Sequence, residues 1–146
     1  MKIIIGSDHG GFNYKNKIID YLKSQNIEVE DEGTYSSDSC DYPVFAKKVA
    51  KIVAQANSDD VRGILICGTG IGMSITANKV KGIRAALCSD LFSAKATREH
   101  NNSNILCLGE RVLDENLMLK IVEIWLDTPF SNEERHIRRI EMIEKD

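Results

Sequence analysis

Proline and tryptophan are scarce in this chain, two and one among 146 residues, and histidine occurs three times. Neither proline divides large blocks, and no linker, internal repeat or low-complexity tract interrupts the sequence. One domain covering residues 1–146 is therefore expected, near the common size of about 150 residues. Long hydrophobic runs are also missing. Ile3-Ile4-Ile5 and Ile64-Leu65-Ile66-Cys67 fall far short of the ~20 apolar residues of a membrane span, so no membrane partner is expected. Charge of one sign is absent as well: 19 basic residues face 22 acidic ones for a net charge of −3, which disfavours nucleic acid as a partner. The four cysteines form no C-x-x-C pair, so no zinc ribbon or dithiol redox motif is readable. Met1-Lys2 leads directly into the first apolar run without a charged leader. No secretory signal is expected, and a cytoplasmic location with reduced thiols is.

What is present alternates between strand and helix patterns. Strand candidates are Lys2–Gly6, Ile27–Asp31, Arg62–Cys67, Ile83–Cys88 and Asn104–Leu108. Helical spacing appears over Phe12–Gln25, after Pro43, from the Gly-Thr-Gly-Ile-Gly loop to about Lys79, over Ser89–His100, and from Asp114 to before Pro129. A last helix, Asn132–Lys145, is predicted with Ile137, Ile140 and Ile143 on one side. Five strands separated by helices imply parallel pairing, because parallel strands need crossover connections. The expected fold is a three-layer α/β/α Rossmann-like sandwich with a five-stranded parallel sheet and a C-terminal helical tail. With strand order 2-1-3-4-5, the order reverses between the first and third strands, and ligands bind beyond the carboxyl ends at such a reversal. Six of the ten glycines (Gly6, Gly10, Gly11, Gly68, Gly70 and Gly72) fall on the two loops there.

Each loop admits more than one reading. Successive amides over Gly68–Gly72, leading into a helix, suit an anion, but the same glycines also suit a tight packing turn. A dinucleotide fingerprint is not met: the first turn lacks G-x-G-x-x-G, and in the third turn Met73 stands where the last glycine belongs. Cys67 closes an apolar strand beside that loop. This position fits a base or nucleophile, and equally a core cysteine. Cys88 and Cys107 read as small core hydrophobes. Asp8 and His9 follow the first strand and fit either a site or a capping pair. His100-Asn101-Asn102 suits a helix C-terminus, where imidazole and left-handed asparagine are favoured. None of the three histidines lies on an apolar stripe in this reading. Arg135 and Arg139 share a helix face as a two-guanidinium clamp for a phosphate dianion, or else belong to a solvated charged face. Arg138 follows Glu134 by four and reads as a surface pair.

Taken together, the segments GSDHGG (6–11), GTY (33–35), DYP (41–43), ICGTGIG (66–72), ANK (77–79), GIR (82–84), REHN (98–101) and RHIRR (135–139) resemble the ribose-5-phosphate isomerase B family, which includes allose- and galactose-phosphate isomerases. The resemblance covers almost the whole chain and implies aldose–ketose isomerisation of a sugar phosphate, without metal or nucleotide cofactor. Some members use a cysteine just before the glycine loop as base and others a glutamate within it. Met73 occupies the latter position and cannot take a proton, so the resemblance makes Cys67 the base for the C2 proton. It makes the amides of Gly68, Gly70, Ile71, Gly72 and Met73 the cradle for the enediolate oxygen. His100 and Thr69 are then implied in furanose opening, Asp8 in proton relay between hydroxyl groups, and Asn101 in support of the oxyanion. His9, Arg135 and Arg139 are implied to hold the phosphate, with Arg111 a further candidate. The family also implies a homodimer, or a dimer of dimers, whose tail reaches the neighbour's pocket. Keeping Cys67, His100, Asn101 and both tail arginines in one chain implies a self-sufficient enzyme. Ribose 5-phosphate is the expected substrate. Open alternatives are a six-carbon sugar phosphate, a noncatalytic phosphosugar-sensing domain, or a flavodoxin-like cofactor binder.

Overall fold

A computed structural model describes residues 1–145. Strand β1 (Lys2–Ser7) leads through a single 3-10 turn at His9–Gly11 into α1 (Phe12–Ser24) and β2 (Glu28–Asp31). Then follow α2 (Tyr42–Ala56), β3 (Val61–Cys67), α3 (Ile71–Ala77), β4 (Ala85–Leu87) and α4 (Leu91–Asn101). The chain continues with β5 (Ile105–Gly109), α5 (Glu115–Asp127) and α6 (Glu134–Glu144). Every strand pairing is parallel. No described helix is long and apolar enough to cross a membrane.

The sheet order is β2-β1-β3-β5-β4, which corrects the expected 2-1-3-4-5. All five residues of β5 are buried, as an interior strand requires. β4 has three residues, and Leu87 at its end is 43 % exposed, as an edge strand tolerates. The chain therefore passes over one strand position to build β4 and returns to insert β5. The reversal between β1 and β3 is unaffected.

Alternation along the strands fills both faces. Ile3, Ile5, Ile64, Ile66, Leu106 and Leu108 meet α1, α4 and α5, where Trp125 is fully buried. Ile4, Leu65, Cys67, Ile105 and Cys107 meet α2 and α3. Helix α6 joins neither layer. Its buried residue is His136 with Ile140 half-buried, while Ile137 and Ile143 are exposed, so the stripe expected from Ile137, Ile140 and Ile143 is not the packed one.

Helix ends follow local chemistry. Pro43 lies in the first turn of α2, where its missing N–H has no helical partner to lose. Asn57 and Asn102, both left-handed, end α2 and α4. Asp90 caps α4 by accepting from the Ser93 amide at 2.7 Å, and Asp114 caps α5 by accepting from Leu117 at 2.8 Å. Replacing Asp90 by Ala is expected to lower stability by about 1 kcal/mol in urea unfolding, the usual loss for an N-cap carboxylate.

Candidate active site

Three loops meet at the carboxyl ends of β1, β3 and β5. The Asp8 amide donates to the Ile66 carbonyl at 3.3 Å, and the Glu110 amide donates to the Cys67 carbonyl at 3.0 Å. One residue further on, the Arg111 amide donates to the Gly68 carbonyl at 2.9 Å. The last two carbonyls of β3 thus hold the loops after β1 and β5 against the glycine loop. Asp8 is buried, and its Oδ1 accepts from the Gly10 amide at 2.9 Å. The capping reading of that carboxylate therefore holds structurally, with its second oxygen left for other partners.

Cys67 is 5 % exposed, packs within the α2/α3 layer, and its Sγ accepts from the Gly70 amide at 3.0 Å. The thiol is thus both a core side chain and a member of the loop. Gly70 makes this geometry possible: its φ is +79°, and a Cβ there would come within 2.6 Å of Leu87 Cδ1. The Ile71 amide donates to Thr69 Oγ1 at 3.2 Å, leaving Thr69 and Ile71 exposed at the mouth. Helix α3 has seven residues, two turns, and starts directly after the left-handed Gly70. Met73 is fully buried and brings only its backbone to the loop. The Tyr42 ring lies against Gly72, a neighbour that the sequence motif DYP contained but did not distinguish from a helix start.

His9 and Arg111 flank this loop. The Cys40 amide donates to His9 Nδ1 at 3.2 Å, which assigns the proton of the neutral ring to Nε2. The Arg111 guanidinium lies over Gly68, where a Cβ would come within 3.0 Å of Nη1.

His100, Asn101, Arg135 and Arg139 are elsewhere. Helix α4 runs back along the sheet after β4, carrying His100 about 14 Å from its first residue. It ends where β5 begins, beside Asn104, whose carbonyl accepts from Gly63 at 2.8 Å. His100 and Asn101 thus lie toward the amino ends of the strands, opposite the glycine loop. There a cavity of about 320 Å³ is lined by residues that include His100, Asn101, Arg135, His136 and Arg139. The His100 and His136 rings stack with centroids 4.5 Å apart, and Ser131 Oγ lies 2.7 Å from His136 Nδ1. Burial, then the nearby Arg135 and His100, hold the His136 imidazole below its ordinary pKa. His136 corrects the placement of all histidines off packed faces. Its position four residues before Ile140 was the available signal. Arg135 Nη1 contacts Glu133 at 2.7 Å, whereas Arg138 makes no ion pair with Glu134 among the described residues. Both members of the Arg135 pair are exposed, so the carboxylate is readily displaced.

No group of three or more His, Cys, Asp or Glu side chains among the described residues could hold a metal ion. Residues 3–143 match the Ribose/Galactose Isomerase family, and the chain belongs to that family. It is 46 % identical over 142 residues to ribose-5-phosphate isomerase B of Escherichia coli, covering 97 % of this chain and 93 % of the relative. The structure of Clostridium thermocellum ribose-5-phosphate isomerase B superposes with a TM-score of 0.94 at 53 % identity, covering 99 % of this chain and 95 % of that one. The Mycoplasma genitalium ribose-5-phosphate isomerase B, solved with bound ribulose-5-phosphate, also gives 0.94, at 44 % identity and with coverage of 98 % and 93 %.

The other thiols are distinct from Cys67. Burial pushes Cys88 up to about 12 and raises Cys107 as well, while Cys40 is half-buried beside His9. The Cys88 and Cys107 thiols therefore stay protonated and unreactive near neutral pH. Mild alkylation of the folded protein, followed by peptide mass spectrometry, is expected to leave Cys88 and Cys107 unmodified.

Proposed function

We propose that the chain is an aldose–ketose isomerase interconverting D-ribose 5-phosphate and D-ribulose 5-phosphate, with Cys67 as the base. The observation that carries this reading is the Cys67 sulfur fixed by the Gly70 amide on a glycine loop, beside Asp8 and His9, in a chain of this family. The hydrogen bond at 3.0 Å determines where the sulfur points. The sulfur takes the proton from C2 of the open-chain aldose as the C1 carbonyl becomes an enediolate oxygen. The same proton, returned to C1, leaves the carbonyl on C2. Atoms and electrons balance within the sugar, and each step is a proton transfer.

The amides of Gly68, Gly72 and Met73, with those of Gly70 and Ile71 once they exchange Cys67 Sγ and Thr69 Oγ1 for substrate, cradle the charge that develops on the enediolate. Such preorganised donors commonly form the largest catalytic contribution. Asp8 moves protons between the C1 and C2 oxygens. His100, assisted by Thr69, opens the furanose ring, general acid–base work for which imidazole is the side chain most often used. Asn101 supports the oxyanion. His9 Nε2, Arg111, Arg135 and Arg139 hold the phosphate, which anchors the sugar away from the reacting carbons. The cytoplasm, where thiols stay reduced, is the compartment suited to Cys67.

His100, Asn101, Arg135 and Arg139 act in the neighbouring subunit's pocket in this reading. A twofold contact that brings the amino-end cavity of one subunit over the glycine loop of the other completes two equivalent sites. The division of these residues between opposite ends of the sheet supports it.

The test is a coupled assay with five- and six-carbon aldose phosphates. Turnover of ribose 5-phosphate is expected, and Cys67→Ala is expected to lower kcat by roughly a thousandfold with substrate binding retained. Absence of turnover in the unaltered protein would overturn the isomerase, and full activity of Cys67→Ala the assignment of the base.

The shared site has its own test. Cys67→Ala and His100→Ala proteins, each inactive, are mixed under conditions that exchange subunits. The hybrid dimer carries one intact pocket, so the mixture should recover up to about one quarter of the unaltered activity. A mixture that stays inactive after exchange, verified by mass spectrometry of differently tagged chains, contradicts a shared site.

A further inference from the structure

A second cavity, of about 380 Å³, opens at the amino end of the sheet beneath Val61 and Arg62. Its lining includes three guanidinium groups, Arg62, Arg84 and Arg98, and two carboxylates, Asp59 and Glu144. Arg84 is fully engaged. It donates to the carbonyls of Asn101 and Asn102 and contacts Glu144 Oε1 at 2.5 Å. Asp59 is exposed and makes no ion pair within 4 Å among the described residues.

Arg62 and Arg98 are different. They are 9 % and 4 % exposed, and neither has a carboxylate partner among the described residues. Arg98 donates to the Thr128 and Ser103 carbonyls and to Asn102 Oδ1. Arg62 donates from Nη1 to the Trp125 carbonyl at 3.4 Å, a long bond, and its Nε and Nη2 have no acceptor among the described residues. Both guanidiniums lie over the Trp125 ring, their carbons 5.5 and 5.9 Å from its centroid. Burial, and next the charge of Arg62, pull Arg98 down to about 10. Arg62 therefore keeps most of its donors free and open to the cavity, with Asp59 and Asp60 as the nearby carboxylate charges and Arg98 beside it on the same indole, an arrangement that an anion would complete.

We propose that this cavity is an anion site, separate from the isomerase pocket, for inorganic phosphate or a small phosphate monoester. Arg62 supplies the free donors of a planar fork, which match two phosphate oxygens. Arg98 supplies buried positive charge, and Arg84 holds Glu144 aside. The space suits a small ligand and not a polymer. The inference stands on the cavity alone and does not require the isomerase reading.

The test uses the full chain carrying Arg135→Ala and Arg139→Ala, so that the tail guanidiniums do not bind the probe. Titration calorimetry with inorganic phosphate and with glycerol 3-phosphate is then compared with and without Arg62→Met, which keeps the apolar stem over Trp125. A loss of affinity of roughly tenfold or more is expected on Arg62→Met, with Arg62→Lys intermediate. Whichever probe binds tighter identifies the source of the phosphate. Thermal unfolding supplies a second readout. In phosphate-free buffer Arg62→Met should unfold close to its parent, because the methionine stem still covers Trp125. Added phosphate should then raise Tm of the parent more than that of Arg62→Met, since any residual binding at His9 and Arg111 is common to both. Isomerase activity of Arg62→Met in the otherwise unaltered chain is expected to be unchanged. Phosphate affinity that is equal in the parent and in Arg62→Met, or no binding to the parent, would overturn the site.

Discussion

The two carbonyls that end β3 carry the architecture of the glycine-loop pocket. Ile66 receives the amide of Asp8, and Cys67 receives the amide of Glu110. Each is a ladder bond continued one step beyond its strand, and buried carbonyls demand such partners. Because β3 lies between β1 and β5, those two bonds bring loops more than a hundred residues apart in sequence onto one shelf. Cys67, Asp8 and Arg111 are thereby carried on adjoining loops at one end of the sheet.

The same parallel pairing divides the remaining residues from that shelf. A strand that runs toward the pocket must be followed by a helix that runs away from it. Helix α4 obeys this rule, so its last turn, with His100 and Asn101, stands at the far end of the sheet. Helix α6 joins it there through the stacking of His136 on His100. Each chain thus presents two partial surfaces facing opposite ways. That is the condition under which a twofold pairing of identical subunits becomes productive.

Most elements were legible because their signals are local. Asp90 and Asp114 marked helix starts, and Pro43 marked the first turn of α2. The uninterrupted apolar runs of β1 and β3 announced burial on both faces. Strand order beyond β3 was not legible in the same way. Chain order alone suggests 2-1-3-4-5, although Ile105-Leu106-Cys107-Leu108 is more uniformly apolar than Ala85-Ala86-Leu87 and so fits the interior better. On α6, the isoleucine spacing marks a different face from the one that packs, because a polar side chain such as His136 identifies a packed face only through its partner ring.

Motif chemistry and element order follow from nearest neighbours in the chain: glycine where φ must be positive, a capping carboxylate, alternating burial. The sequence by itself determined these, and with them the family and the candidate groups. Which groups share a pocket was decided only by tertiary structure, since three-dimensional proximity depends on strand order and helix direction, long-range properties that no local pattern encodes. The buried arginines beside Trp125 belong to this second kind. In the sequence they are ordinary charges, and only folding sets both guanidiniums over one indole and turns the free nitrogens of Arg62 toward a cavity.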